Sequence, residues 1–166
     1  DVAPEKFDAM LAEQNYNYLS SNVFTLAASN GHLDQVSFSN TFDSLGYFYG
    51  SVTRSLGFTP HRHEGKVLGL SAYGGDCPQS YPAIRDMIAY DPKKMRFLGL
   101  MEHGMYKPQY QNIELDNYVN KFSREDVAAA VQLRIEEVVC ELIEDISGSH
   151  FKLAVAGGVF ANVKLN

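Results

Sequence analysis

Cysteine is scarce in this 166-residue chain, which carries only Cys77 and Cys140. Two cysteines make neither a disulfide framework nor a metal-ligand spacing, so the sequence reads as a reduced, cytoplasmic protein. Long apolar runs are also missing. None approaches the roughly 20 residues that a membrane span needs, so no membrane partner is expected. A basic stripe is lacking too. The formal net charge is -6, with acidic and basic residues mixed along the chain, and this argues against nucleic acid as a partner. The opening Asp1-Val2-Ala3-Pro4-Glu5-Lys6 has no basic n-region and no apolar h-region, which excludes a secretory signal there. The missing initiator Met fits a processed chain or an excised segment. No Gly-x-Ser-x-Gly elbow, Walker loop or Cys/His pairing points to nucleophilic catalysis.

What is present suffices for one compact domain. Apolar residues make up 45%, ordinary for a globular chain of this length. Pro4 to Glu13 fits a short helix, and Asn15 to Asn22 reads as irregular; residues 1–22 form a leader with no assigned role. Val23 to Ala28 and Leu33 to Phe38 flank Ser29-Asn30-Gly31-His32, a hairpin signal because Asn-Gly accepts positive φ at little cost. Ser44 to Leu56 has helical apolar spacing, with Asp43 or Ser44 to cap it and Gly57 to stop it. A helix in the middle of His61 to Gly75 should close at its glycine pair. Pro82 to Tyr90 reads as a short helix and Met95 to Leu100 as a strand. Residues 101–121 read as a long polar connection with room for a short helix.

The clearest element runs from Arg124 to Ile146. Val127, Val131, Ile135, Val138, Val139, Leu142, Ile143 and Ile146 make one apolar stripe, and Ser123 with Asp126 resembles a capping box. Cys140 is expected on the apolar face, and Gln132 and Arg134 on the surface. Gly148 should stop this helix. Phe151 to Ala156 then reads as a strand covered on both faces.

Two stretches can carry chemistry. The strand should end in Gly157-Gly158-Val159-Phe160-Ala161-Asn162 and turn into a helix near Phe160. Glycines there let backbone approach a ligand, and a helix N-terminus suits phosphate. Asn162 can add its amide. A plain tight turn explains the glycines equally well. In His61-Arg62-His63-Glu64-Gly65-Lys66, Arg62 and Lys66 can share a helix face and hold phosphate oxygens, and Glu64 can bond a ribose hydroxyl. A solvated first turn is the plainer reading. His61 and His63 lack a third ligand nearby, so no metal is assigned to them. His32 and His150 are expected to face solvent, and His103 has no assigned role.

Three stretches taken in order resemble the nodulation-type O-carbamoyltransferases, which also act in antibiotic biosynthesis. They are Ser44 to Phe58, Glu64 to Gly74, and Ala156 to Asn166. The resemblance implies an α/β fold, part of an actin/hexokinase-like ATPase (ribonuclease H-like) domain with a mixed sheet and flanking helices. Residues 1–166 would then be one partial domain, an internal segment. It further implies an enzyme that makes carbamoyl-adenylate from carbamoyl phosphate and ATP and passes the carbamoyl group to a hydroxyl of a sugar or natural product. On the same carry-over, Gly158 and Asn162 match the nucleotide-contacting Gly-Gly-Val-x-Ala-Asn motif, with Gly157 beside them. Gly65, with Glu64 and Lys66, matches the Glu-Gly-Lys segment near the nucleotide.

The chain departs from the family pattern in places. Phe42-Asp43 stands where Pro-His is usual, and Leu68 and Ser71 replace the commoner Met and Ala. The family's iron site uses a His-x-x-x-His pair upstream and an Asp downstream, and neither is in this sequence. Iron is therefore expected only in the full-length parent, and the isolated chain is expected to lack transferase activity. Another member of the superfamily, a sugar kinase or a threonylcarbamoyl transferase relative, remains open. So does a non-catalytic binding or assembly domain. The acceptor, the catalytic residues and the oligomeric state are not legible in the sequence.

Overall fold

The computed structural model describes residues 19–27, 31–76, 78–99, 111–147 and 152–166. Strands β1 (Leu19–Ala27) and β2 (His32–Asn40) form the expected antiparallel hairpin, with Leu26 opposite Leu33 and Gly31 at φ +68° in its turn. β1 begins earlier than expected, because Leu19 to Asn22, read as irregular, also join the ladder. A second antiparallel hairpin pairs β3 (Ile88–Asp91) with β4 (Arg96–Gly99). The two hairpins are stitched by side chains. Ser39 Oγ accepts from the Phe97 amide at 2.9 Å, Asp43 Oδ1 accepts from the Gly99 amide at 2.7 Å, and Ser37 Oγ donates to the Lys94 carbonyl at 3.0 Å. Buried hydroxyls and a carboxylate thus satisfy edge groups that a neighbouring strand would otherwise satisfy.

Helix α1 (Leu45–Ser55) starts at Ser44, whose Oγ accepts from the Tyr47 amide at 3.2 Å. Gly57 ends it at φ +79°. The Gly57 amide donates to the Arg54 carbonyl at 2.8 Å and the Phe58 amide to the Thr53 carbonyl at 3.0 Å, a Schellman closure. Leu45, Phe48, Tyr49, Val52 and Leu56 are buried, as their spacing predicts. α2 (Glu64–Ser71) is followed by the glycine pair. Gly74 lies so close to the long helix Arg124–Ile146 that a Cβ on it would fall 2.1 Å from the Glu125 carbonyl oxygen and 2.5 Å from Ala129 Cβ. α4 (Ile113–Val119) occupies the polar connection, capped by Asn112; Arg54 and Ser55 both bond Asp116 Oδ1 at 2.6 Å and tie the end of α1 to it.

α5 (Arg124–Ile146) is the axis of the core. Ser123 caps it, with its Oγ 3.2 Å from the Asp126 amide. Asp126 does not reach back to Ser123. Its carboxylate accepts from the amides of Gln79 (2.6 Å) and Ser80 (2.8 Å), at the start of α3 (Tyr81–Arg85). Val127, Val131, Ile135 and Val138 are fully buried, each stabilising the fold by roughly 1.5–3 kcal/mol.

Several expectations are corrected. The helix read over Pro82 to Tyr90 stops at Arg85, and Ile88 opens β3. Ile84, Met87 and Ile88 are buried as a helical stripe would be, but Tyr90 pairs with Phe97 across the hairpin, and the Ile88 carbonyl accepts from Arg134 Nε at 2.9 Å. The strand expected over Phe151 to Ala156 is not formed in the part described. Residues 152–156 are exposed and in no ladder, since no strand among the described residues lies beside them. Both sheets among the described residues are two-stranded and antiparallel, so the expected mixed sheet is not seen there. Cys140 is exposed rather than core; its helical neighbours Glu136, Glu137 and Glu144 mark the acidic face. Gln132 and Arg134 are buried rather than on the surface. α5 is covered on more than one flank, so its buried face is wider than its apolar stripe. The helix over Pro4 to Glu13, Cys77, His103, Gly148 and His150 lie outside the described residues.

Candidate functional site

Gly157 adopts φ +104° and ψ 170°, a conformation open to glycine but strained for other residues. The run predicted to launch a helix makes a short 3-10 turn, Gly158–Ala161, in which the Phe160 amide donates to the Gly157 carbonyl and the Asn162 amide to the Val159 carbonyl, both at 3.2 Å. Val159 and Phe160 are half-buried and pack against the core, while Gly157 and Gly158 face outward. A Cβ on Gly158 would meet nothing within 4 Å, so protein packing does not demand a glycine there.

Asn162 anchors this turn from below. Its Oδ1 accepts from the amides of Lys164 (3.1 Å) and Leu165 (3.3 Å), holding the last residues of the chain. Its Nδ2 donates to Gln132 Oε1 at 2.8 Å, and Gln132 Nε2 faces Asn162 Oδ1 at 3.3 Å. Gln132 Nε2 also donates to Glu136 Oε1 at 2.6 Å, and the Tyr49 hydroxyl donates to Gln132 Oε1 at 3.3 Å. One Nδ2 hydrogen of Asn162 bonds no described residue. Desolvation, with the Glu64 and Glu136 carboxylates nearby, pushes the Tyr49 phenol well above its ordinary range. A phenol is protonated at neutral pH even without this shift, so Tyr49 can donate there.

Glu64, Gly65 and Lys66 form the first turn of α2. Glu64 Oε1 accepts from the His61 amide at 2.5 Å, fixing a residue held at the unusual φ of 63°. Gly65 and Lys66 are exposed, and a Cβ on Gly65 would meet nothing within 4 Å. Glycine inside a helix costs about 1 kcal/mol relative to alanine, and no packing here compensates that cost. The two stretches flank the first turn of α1. The Tyr47 ring meets the His61 ring edge-on at 6.2 Å, and Gly46 sits beside Val159, with a built Cβ 3.8 Å from Val159 Cγ2. Tyr49 is buried on the same helix and bonds Gln132, and the Glu64 charge helps to raise its phenol.

His61 and His63 take different partners. His63 Nδ1 accepts from the Thr59 amide at 3.1 Å, and its ring stands edge-on to Phe58 at 6.2 Å. Among the described residues, no group of three His, Cys, Asp or Glu side chains is placed to hold a metal ion. No helix among them is long and apolar enough to cross a membrane.

Gln132, Tyr49 and Glu136 are the site residues that sequence reasoning missed. One signal existed for Gln132. It follows Ala128-Ala129-Ala130-Val131, all buried, so an amide interrupts a run of small core residues.

The family model of the carbamoyltransferase N-terminus matches residues 8–166. Two uncharacterized proteins of Methanocaldococcus jannaschii are similar to the chain. MJ1051 is 33% identical over 144 residues, 84% of this chain and 28% of its own length. MJ1058 is 34% identical over 128 residues, 74% of this chain and 20% of its own length. The chain thus spans less than a third of either relative.

Proposed function

The chain belongs to the carbamoyltransferase family, and from that premise we propose that it supplies one wall of a nucleotide site in an ATP-dependent O-carbamoyltransferase. The whole enzyme hydrolyses carbamoyl phosphate to carbamate and phosphate, joins the carbamate to ATP as carbamoyl-adenylate with release of pyrophosphate, and transfers the carbamoyl group to a hydroxyl of a sugar or another small molecule with release of AMP. The observation that carries this reading is the amide pair Gln132–Asn162 beneath an outward-facing glycine turn. A turn clamped from below and bare above suits close approach of a phosphate chain.

Glu64, Gly65 and Lys66 supply the facing edge. Lys66 is exposed and contributes positive charge toward the phosphates, and the bare Gly65 admits the ligand close to α2. Glu64 keeps one carboxylate oxygen on the His61 amide and offers the other to a ribose hydroxyl. On the same reading the domain is part of an actin/hexokinase-like ATPase architecture. The exposed apolar stretch with Leu153 and Val155 supports that, since it has the character of a strand in a larger sheet.

Iron is the other group the family implies. The described residues do not fit it, because they offer no cluster of three ligands. No step is assigned to a metal through these side chains.

The test is pyrophosphate release by the full-length protein supplied with ATP and carbamoyl phosphate. Release that depends on carbamoyl phosphate supports the reading. A protein that binds ATP yet hydrolyses or transfers phosphate with no such dependence contradicts it.

A further inference from the structure

We infer that Gln132 is the positioning residue of the nucleotide site, setting the glycine turn through Asn162 without touching the ligand itself. The inference rests on the reading of Gly157 to Asn162 as a nucleotide-facing turn, and it adds a residue that no motif marks.

Gln132 is almost fully buried, at 1% exposure, in the middle of α5. Its Oε1 accepts from Asn162 Nδ2 and from the Tyr49 hydroxyl, and its Nε2 points to Glu136 and Asn162. These bonds define which way the amide faces. Glu136 sets the sense, since a carboxylate only accepts and so must face Nε2, and Oε1 is then turned to the Tyr49 hydroxyl, which donates to it. The Gln132 amide is thereby locked, and it locks the Asn162 amide in turn. Asn162 Oδ1 then faces the amides of Lys164 and Leu165, and the spare Nδ2 hydrogen has a fixed direction. The chain of orientation runs from the two central helices to an exposed turn. Gly157 and Gly158 have no side chains with which to hold themselves, so this anchor adds to what the turn's own bonds and the packing of Val159 and Phe160 provide.

Arg134 provides the internal comparison. It lies two residues along the same helix and is also buried, but it bonds the Ile88 carbonyl and Glu137, away from the turn. Truncating it should damage the fold without reaching the nucleotide.

The experiment measures ATP affinity by calorimetry on the full-length protein, as wild type, Gln132→Met and Arg134→Met. Gln132→Met keeps the volume and removes every bond, and about a tenfold or greater loss of ATP affinity is expected, the scale of one lost buried hydrogen bond. Arg134→Met should bind ATP within about twofold of wild type despite its lower stability. In steady state, Gln132→Met should raise KM for ATP and leave KM for carbamoyl phosphate unmoved, a split that general destabilisation does not produce. Combining Gln132→Met with Asn162→Ala should weaken ATP no further than Asn162→Ala alone. Should Gln132→Met fail to fold, Gln132→Asn serves: it keeps a neutral amide but draws it back by one methylene from Asn162, and the same loss is expected. Wild-type affinity in a folded Gln132 variant overturns the inference and leaves the nucleotide reading standing. A wild-type protein that binds no ATP overturns both.

Discussion

Asn162 and Gln132 meet amide to amide, 2.8 Å apart at Nδ2 and Oε1, across 30 residues of sequence. This pair connects the glycine turn to the buried centre of α5, so the stability of the core and the geometry of the site share one set of bonds. Truncating Gln132 leaves the buried Tyr49 hydroxyl and the half-buried Asn162 and Glu136 without this partner. Gln132→Met should lower unfolding stability by about 1–3 kcal/mol, read from the urea midpoint at constant slope. An unchanged midpoint would mean that water already satisfies these groups.

Two glycines of the second motif should respond oppositely. Gly74→Ala drives a Cβ to 2.1 Å from the Glu125 carbonyl oxygen, and backbone cannot step aside as a flexible side chain can. A loss of about 1–3 kcal/mol is expected, measured by thermal unfolding. Gly65→Ala meets nothing within 4 Å and should raise stability by up to about 1 kcal/mol through helix propensity. The same substitution should weaken ATP binding by the full-length protein. A Gly65→Ala protein that is more stable and binds ATP as before would remove Gly65 from the site.

Asp116 gives the acid dependence. Desolvation pushes its carboxyl up, but the hydrogen bonds from Ser55 and Arg54, with the Arg54 charge, together outweigh it and hold the carboxyl below its ordinary value. A carboxyl lowered in the folded state stabilises fully above its unfolded pKa, and that contribution fades as the pH falls toward the folded value. Stability should therefore drop as the pH falls through about 4 and below. Asp116→Asn should be less stable at neutral pH and show a flatter acid limb. An identical acid limb in the variant would show that other carboxylates govern it.

The parts of this fold that were legible are those governed by local rules. Ser44 and Gly57 bounded α1, Ser123 opened α5, and the hairpin at Gly31 followed from turn chemistry. The misread parts depend on what lies alongside. Ile84, Met87 and Ile88 satisfy a helical stripe, yet Ile88 begins a strand because β4 is there to pair with it. Residues 152–156 have strand-like side chains and no strand beside them among the described residues. Arg134 and Gln132 looked like surface because polarity was the only cue; tertiary partners on neighbouring elements brought them inside. The glycine turn was visible in the motif, but its anchor was not, since Gln132 lies 30 residues away on a helix.

The central claim is that the turn from Gly157 to Asn162 faces a nucleotide and is held by the amide of Asn162. Its most direct test is the ATP affinity of full-length protein carrying Asn162→Asp. Aspartate keeps the acceptor toward Lys164 and Leu165, loses the donor toward Gln132, and places negative charge under the turn proposed to face the phosphates. ATP binding weaker by about tenfold or more is expected, with the fold retained. Affinity equal to wild type in the folded variant would contradict the account.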